Sequence, residues 1–174
     1  MLLYITLLVT VVLIRMLICE AYVVSTCSME PAIQPTEVLL VSKWEYGALL
    51  PRRLADIPVV NIFTWISTLR KADLRQYWGI HRFPGYRNPQ KGDVILFRSM
   101  EKEGQVLVKR IDHVIRNSEG ELYYVLGDNR EHSADSRQFG PVPQECLIGR
   151  ATRILWSWDN KNRKPRISRL YHKI

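Results

Sequence analysis

Five short runs limit what this chain can fold into: Val38 to Val41 (VLLV), Val94 to Phe97 (VILF), Val106 to Ile111 (VLVKRI), Leu122 to Leu126 (LYYVL) and Ile154 to Trp158 (ILWSW). Each is rich in β-branched and aromatic residues and is bounded by Gly, Pro, Asn or Asp, the pattern of strands between turns. No long stretch of the body repeats apolar residues every three or four positions, so the core falls to strands. The reading is an all-β domain over residues 23–160. A chain of 174 residues is long enough for one such domain and needs no disulfide or metal staple. Its three cysteines (Cys19, Cys27, Cys146) form no CxxC and no cluster of zinc spacing, and their odd number argues against a disulfide framework.

The N-terminus follows another pattern. Residues 1–14 carry no charge, and the apolar run continues past Arg15 to Ile18. As a helix, residues 1–14 would reach about 21 Å, short of the roughly 30 Å hydrocarbon core. Residues 15–18 bring the segment to the lower limit for crossing, with Arg15 snorkelling to the interface. A single transmembrane anchor over residues 1–22 is expected. The alternative, the hydrophobic core of a removed signal peptide, lacks a basic leading region and a well-placed small-x-small cleavage pattern. A count of positive charges decides little about orientation, because long domains translocate largely regardless of charge.

Two regions stand apart from the strands. Residues 48–90, punctuated by Pro51, Pro58, Pro84, Gly85 and Pro89, read as an irregular excursion in which Asn61 to Gln76 could form a short helix or a hairpin. The tail, residues 161–174, holds Lys161, Arg163, Lys164, Arg166, Arg169 and Lys173 and no acid. It reads either as a solvated face or as an attractor for anionic lipid headgroups. The net charge of +8 is not enough for a nucleic-acid partner without a binding motif, so none is expected.

Three segments could carry chemistry: Thr26 to Pro31 (TCSMEP), Val108 to Ile111 (VKRI) and Gly127 to Arg137 (GDNREHSADSR). Each alone is ordinary, since a lone strand lysine usually faces solvent and Gly-Asp-Asn makes a good turn. In a strand, however, Leu107, Lys109 and Ile111 share one face while Val106, Val108 and Arg110 share the other. Both faces are mostly apolar, so one of the two cations is drawn out of water. A lysine so placed loses the solvation of its ammonium form and can serve as a neutral base, whereas arginine stays charged. A serine hydroxyl needs such a base to become a nucleophile, and Ser28 is the serine best placed beside the anchor.

These segments fall within a longer series: CSMEPAI, VLLVSKWEYG, KGDVILFR, VKRI, LGDNREHSADSRQFGPVP and IGRATRILWSWD, in that order. In this series and the apolar segment before it the chain resembles the type I signal peptidases, membrane-anchored Ser-Lys proteases that remove signal peptides from exported proteins. The long GDN-x-x-x-S-x-D-S-R match is the most specific element. The resemblance implies a mainly β fold, an antiparallel sheet or barrel with one N-terminal transmembrane helix. It implies Ser28 as nucleophile and Lys109 as the general base that later protonates the leaving amine. Ser133 would hydrogen-bond and orient that amine, and the Ser28 N–H with the Thr26 hydroxyl would form the oxyanion hole. Asp128, Asp135, Arg110 and Arg137 would be structural ion-pair partners, and Gly127 would leave room beside the amine.

Against the family pattern, Cys27 stands where glycine is usual and adds a side chain near the oxyanion site. His81, His113, His132 and His172 invite a Ser-His-Asp reading, but His132, inside the strongest motif, reads as a surface turn residue. Trp156 and Trp158 suit either sheet packing or a membrane interface. The expectation is a serine endopeptidase of the cytoplasmic membrane with its catalytic domain on the outer, periplasmic side. Its partners would be membrane lipid and preprotein signal peptides with small, Ala-x-Ala-like residues before the cut; no metal or organic cofactor is expected. A specialised processing peptidase of mitochondrial inner-membrane or conjugation type, and a non-catalytic membrane-tethered β module that binds exported peptides, are the alternatives.

Overall fold

The computed structural model describes residues 1–52, 56–57, 78–102, 104–118 and 120–174. The helix or hairpin considered for Asn61 to Gln76 lies outside the described residues. Helix α1 (Leu2–Leu17) is followed at once by strand β1 (Cys19–Val23). Then come β2 (Val38–Ser42), β3 (Val94–Arg98), β4 (Val106–Asn117) and β5 (Gly120–Leu126). A short helix α2 (Ser136–Phe139) leads to β6 (Val142–Pro143), β7 (Leu147–Trp156) and a two-residue hairpin pair, β8 (Trp158–Asp159) and β9 (Lys164–Pro165).

Strands β1 to β7 make one antiparallel sheet in the order β1-β2-β7-β3-β4-β5-β6. Its side chains feed two cores. Val94 and Leu96 join Met29, Ile33, Leu39 and Ile154 in one, while Ile95 and Phe97 join Ile111, Tyr123, Val125 and Leu147 in the other. Strand β3 is thus buried on both faces, which is why VILF reads as a continuous apolar run instead of an alternating one.

The N-terminal helix is shorter than the segment expected as an anchor, residues 1–22. Helix α1 has 16 residues, about 24 Å at the usual rise. No helix among the described residues is long and apolar enough to cross a membrane. The helix stops because Cys19–Val23 is taken into the sheet, where Cys19 pairs with Ser42 and Val23 with Val38. Arg15 lies against Glu20 (2.7 Å), which also takes Lys43 at 2.8 Å. Lys43 Nζ further donates to the Arg15 carbonyl at 2.9 Å, satisfying a helix-end acceptor with a cation.

Two strands run longer than the sequence suggests. Strand β4 continues to Asn117 as a hairpin with β5, and β7 starts at Leu147, well before the apolar ILWSW run. Gly149 and Arg150 disguise that beginning. A Cβ on Gly149 would lie 2.4 Å from the Ser42 carbonyl, so the glycine is there to let β2 approach. The same run ends early: Ser157 separates β7 from β8 because its buried hydroxyl turns to Glu37 at 2.8 Å.

The basic tail is not simply a solvated run. Tyr171 N–H donates to Ile154 O, Ile154 N–H to His172 O and Ile174 N–H to Thr152 O, which lays the last residues along β7. Arg169 reaches inward to Glu37 and the Ala32 carbonyl. Lys161, Arg163, Lys164 and Lys173 stay exposed.

Candidate active site

The loop between β1 and β2 is closed at its neck by Val24 N–H to Glu37 O (2.8 Å) and Thr36 N–H to Val24 O (2.7 Å). Within it, Met29 and Ile33 are fully buried in the first core. Full burial of a side chain of this size stabilises by about 1.5–3 kcal/mol. The two apolar residues therefore pin the turn that begins at Ser28.

Strand β4 brings Lys109 to the same place, opposite Ile95 of β3. Lys109 Nζ lies 2.7 Å from Ser28 Oγ, and both residues are buried, 3% and 7% exposed. Of the two cations of the Lys-Arg pair, it is the lysine that leaves water. Arg110 stays half-exposed and forks onto Asp128 at 2.8 and 2.7 Å. Burial pushes the Lys109 amine below its ordinary value, against the pull of the Asp135 and Asp128 carboxylates. A lowered amine bonded to a serine hydroxyl is the arrangement needed to take that hydroxyl's proton.

The third wall is the turn after β5. Asp135 is fully buried and accepts from Gly127 N–H (3.0 Å) and from both Nε and Nη2 of Arg137 (2.8 and 2.9 Å). Burial alone would raise its carboxyl, but the Arg137 guanidinium and the Gly127 N–H outweigh it and hold it well below the usual carboxylate range. Asp135 also caps α2, whose Ser136 hydroxyl accepts from Val125 N–H at 2.9 Å. One short segment thus ties the turn to β5 at both ends.

Gly127 is required by space. A Cβ there would lie 2.1 Å from Ser133 Oγ and 2.6 Å from the Ser28 carbonyl. Gly127→Ala must push the Ser28 turn and Ser133 apart, and a displacement approaching 1 Å costs about a hundredfold in rate. The Lys109 Nζ–Ser28 Oγ distance in a structure of the variant, with circular dichroism as a check on folding, tests this; an unchanged 2.7 Å contact would contradict it.

Ser133 sits beside this glycine and is 8% exposed, but its hydroxyl makes no full-geometry hydrogen bond, neither to Lys109 nor to any other described group. It lies near enough to Asp135 to help hold that charge without the alignment of a bond. Thr26 Oγ1 is 3.3 Å from Ser28 Oγ. Cys27, between them in sequence, is exposed. Among the described residues no histidine bonds to Ser28: His81 meets the Trp78 carbonyl, His113 meets Asp112 and His132 meets Asn129.

Sequence reasoning passed over Asn129 and Glu37. Asn129 N–H donates to the Ser28 carbonyl at 3.1 Å and its Nδ2 to the Cys27 carbonyl at 3.3 Å. Its sole signal was membership of a Gly-Asp-Asn turn. Glu37, a fully buried carboxylate, had no signal at all, because its partner Arg169 lies 132 residues away.

Most of this chain is similar to known proteins. A family described as signal peptidase, peptidase S26, matches residues 1–114 and 117–156. A protein of Synechocystis sp. named "probable signal peptidase I-2" is 30% identical over 147 residues, which cover 82% of this chain and 66% of that protein. The signal peptidase I of Leptolyngbya laminosa is 29% identical over 149 residues, covering 82% of this chain and 71% of its own. From Arabidopsis thaliana, the mitochondrial ATP-independent inner membrane protease subunit 1b is 28% identical over 93 residues, 43% of this chain and 55% of its own. The chain thus spans just under two thirds of the length of the Synechocystis relative. With the Ser28 turn, the Lys109 strand and most of the sheet inside the matched residues, the chain belongs to the peptidase S26 family of signal peptidases.

Proposed function

We propose that this protein is a membrane-associated serine endopeptidase that cleaves signal peptides from exported preproteins with a Ser28–Lys109 dyad. The observation that carries this reading is the 2.7 Å contact between a buried amine and a buried serine hydroxyl. The neutral Lys109 amine accepts the Ser28 proton as Oγ attacks the scissile carbonyl. The resulting ammonium then gives that proton to the leaving amine, and water hydrolyses the acyl-enzyme with Lys109 again as base.

The developing oxyanion needs donors, each worth about 3–4 kcal/mol in the transition state. The Ser28 N–H donates to no acceptor among the described residues, and Thr26 Oγ1 lies next to Ser28 Oγ, so these two are assigned that role. Arg110, Asp128, Asp135 and Arg137 hold the frame, Gly127 makes room, and Ser133 orients the amine once a substrate excludes water. An extended preprotein segment with small residues before the cut suits a site between loop and strand.

Helix α1 is apolar apart from Thr6, Thr10 and Arg15, and none of its residues is buried, which favours a lipid environment. In this reading it enters the bilayer as a single pass, the membrane thinning to meet its length. The site then lies close to the outer surface of the cytoplasmic membrane, where a substrate is tethered by its own hydrophobic segment. The inner-membrane protease relative favours, as a second reading, a peptidase with few substrates; complementation of a strain depleted of its general signal peptidase separates the two.

N-terminal sequencing of a preprotein incubated with the wild type and with Ser28→Ala tests the main reading. The expected result is a new N-terminus after an Ala-x-Ala-like site with the wild type and none with the variant. Equal processing by both would overturn it.

A further inference from the structure

We propose that Asn129 is a positioning residue for the oxyanion site: it clamps the Cys27–Ser28 segment from across the site and so aims the Ser28 N–H at the substrate oxygen. This rests on the serine-protease reading above.

In a trans peptide the carbonyl and the N–H point in opposite directions, so whatever fixes the Cys27 carbonyl also fixes the Ser28 N–H. Two donors meet that carbonyl: Glu30 N–H at 3.1 Å and Asn129 Nδ2–H at 3.3 Å. Asn129 holds the next carbonyl too, its backbone N–H donating to Ser28 O at 3.1 Å. The Ser28 N–H itself has no acceptor among the described residues, so it is available to an incoming oxygen. Two hydrogen bonds to one carbonyl polarise the peptide and make its N–H a stronger donor.

The two clamps differ in what they are attached to. Glu30 belongs to the same turn as Ser28 and moves with it. Asn129 is carried by the turn after β5, which Arg110 of β4 grips through Asp128 and which Asp135 grips through Gly127 N–H. The Asn129 bonds therefore register the oxyanion N–H against the strand that also carries Lys109. His132 stands behind the amide, its Nδ1 3.4 Å from Asn129 Oδ1.

Asn129→Ala removes the side-chain clamp and keeps the backbone one; Asn129→Asp places a carboxylate oxygen against the Cys27 carbonyl. Both are expected to lower kcat for preprotein cleavage by about ten- to a hundredfold, Asp at least as much as Ala, with KM within about twofold of wild type. In Asn129→Ala the pH midpoint of kcat should stay where it is in the wild type, because no charge near Lys109 changes. A peptide aldehyde of the signal sequence, whose carbon takes Ser28 Oγ while the proton passes to the new hemiacetal oxygen, should bind the variants about tenfold more weakly. The corresponding peptide alcohol, which cannot be attacked, should bind all three proteins alike.

A wild-type kcat in Asn129→Ala, or equal losses for aldehyde and alcohol, overturns the clamp while leaving the protease reading intact if Ser28→Ala is inert. A wild-type protein that leaves both preprotein and aldehyde untouched overturns both.

Discussion

Lys109→Met is expected to lower kcat/KM for preprotein cleavage by a factor of about 10⁴ or more, while leaving a protein that unfolds at a higher temperature than the wild type near neutral pH. The activity loss follows from removing the group that takes the Ser28 proton in the proposed mechanism. The gain in stability follows from burial, which lowers the amine below its ordinary value of 10.5. The unfolded chain then holds this proton more tightly than the folded one. Stability is consequently lost as pH falls from about 10.5 toward the lowered folded value, and it stays lost below that.

A methionine of similar shape carries no such cost. Removing that penalty should raise Tm, by about 2–4 °C for each kcal/mol removed in a chain of this size. Thermal melts of both proteins across pH 6 to 11 should converge at the alkaline end. In the wild type, kcat/KM should rise with pH through the lowered Lys109 value. A Met variant that melts below the wild type at neutral pH would show that the amine stabilises the fold instead of burdening it.

The largest loss of stability is expected from Glu37→Ala. This fully buried carboxylate accepts from Gln34 N–H (2.9 Å), Ser157 Oγ (2.8 Å) and Arg169 Nη2 (3.0 Å), and from Arg169 Nε as well. Truncating it strands all four donors, and breaking a buried pair of this kind costs about 3–5 kcal/mol. The melting temperature should drop by about 6–20 °C.

Function should suffer with it, since Arg169 also holds the Ala32 carbonyl (2.8 Å) of the loop that carries Ser28. Burial alone would raise the Glu37 carboxyl, but Arg169, the Gln34 N–H and Ser157 carry it below its ordinary value of 4.5. Its contribution is therefore full above about pH 4.5 and is lost as pH falls through the lower folded value. Glu37→Gln, which keeps an acceptor but no charge, should fall between wild type and Ala and flatten the acid side of the stability curve. An Ala variant that melts within a degree of wild type would contradict the prediction.

Part of this site was legible in the chain. Burial of one cation of the Lys109-Arg110 pair follows from two apolar strand faces, and strand periodicity could go no further. Which of the two is buried was settled by Asp128, which forks onto Arg110 and keeps it at the surface. Gly127 was read only through the resemblance, as leaving room beside the amine; the groups it makes room for in the fold, Ser133 and the Ser28 carbonyl, come from segments folded against it. The bond foreseen from Ser133 to the amine is not formed in this structure. Strand β1 was hidden because CEAYV follows an apolar run with no break, and its pairing with VLLVS is a nonlocal fact.

The sequence by itself determined the strand-rich body, the apolar segment before it and the three segments that could hold a nucleophile, a base and a supporting turn. It could do so because alternation, turn chemistry and charge are local properties of a chain. The tertiary structure alone decided where α1 yields to β1, which cation leaves water, and that Asn129 and Glu37 brace the loop carrying Ser28. Those outcomes depend on groups far apart in sequence meeting at about 3 Å, where desolvation and hydrogen bonding set the energies.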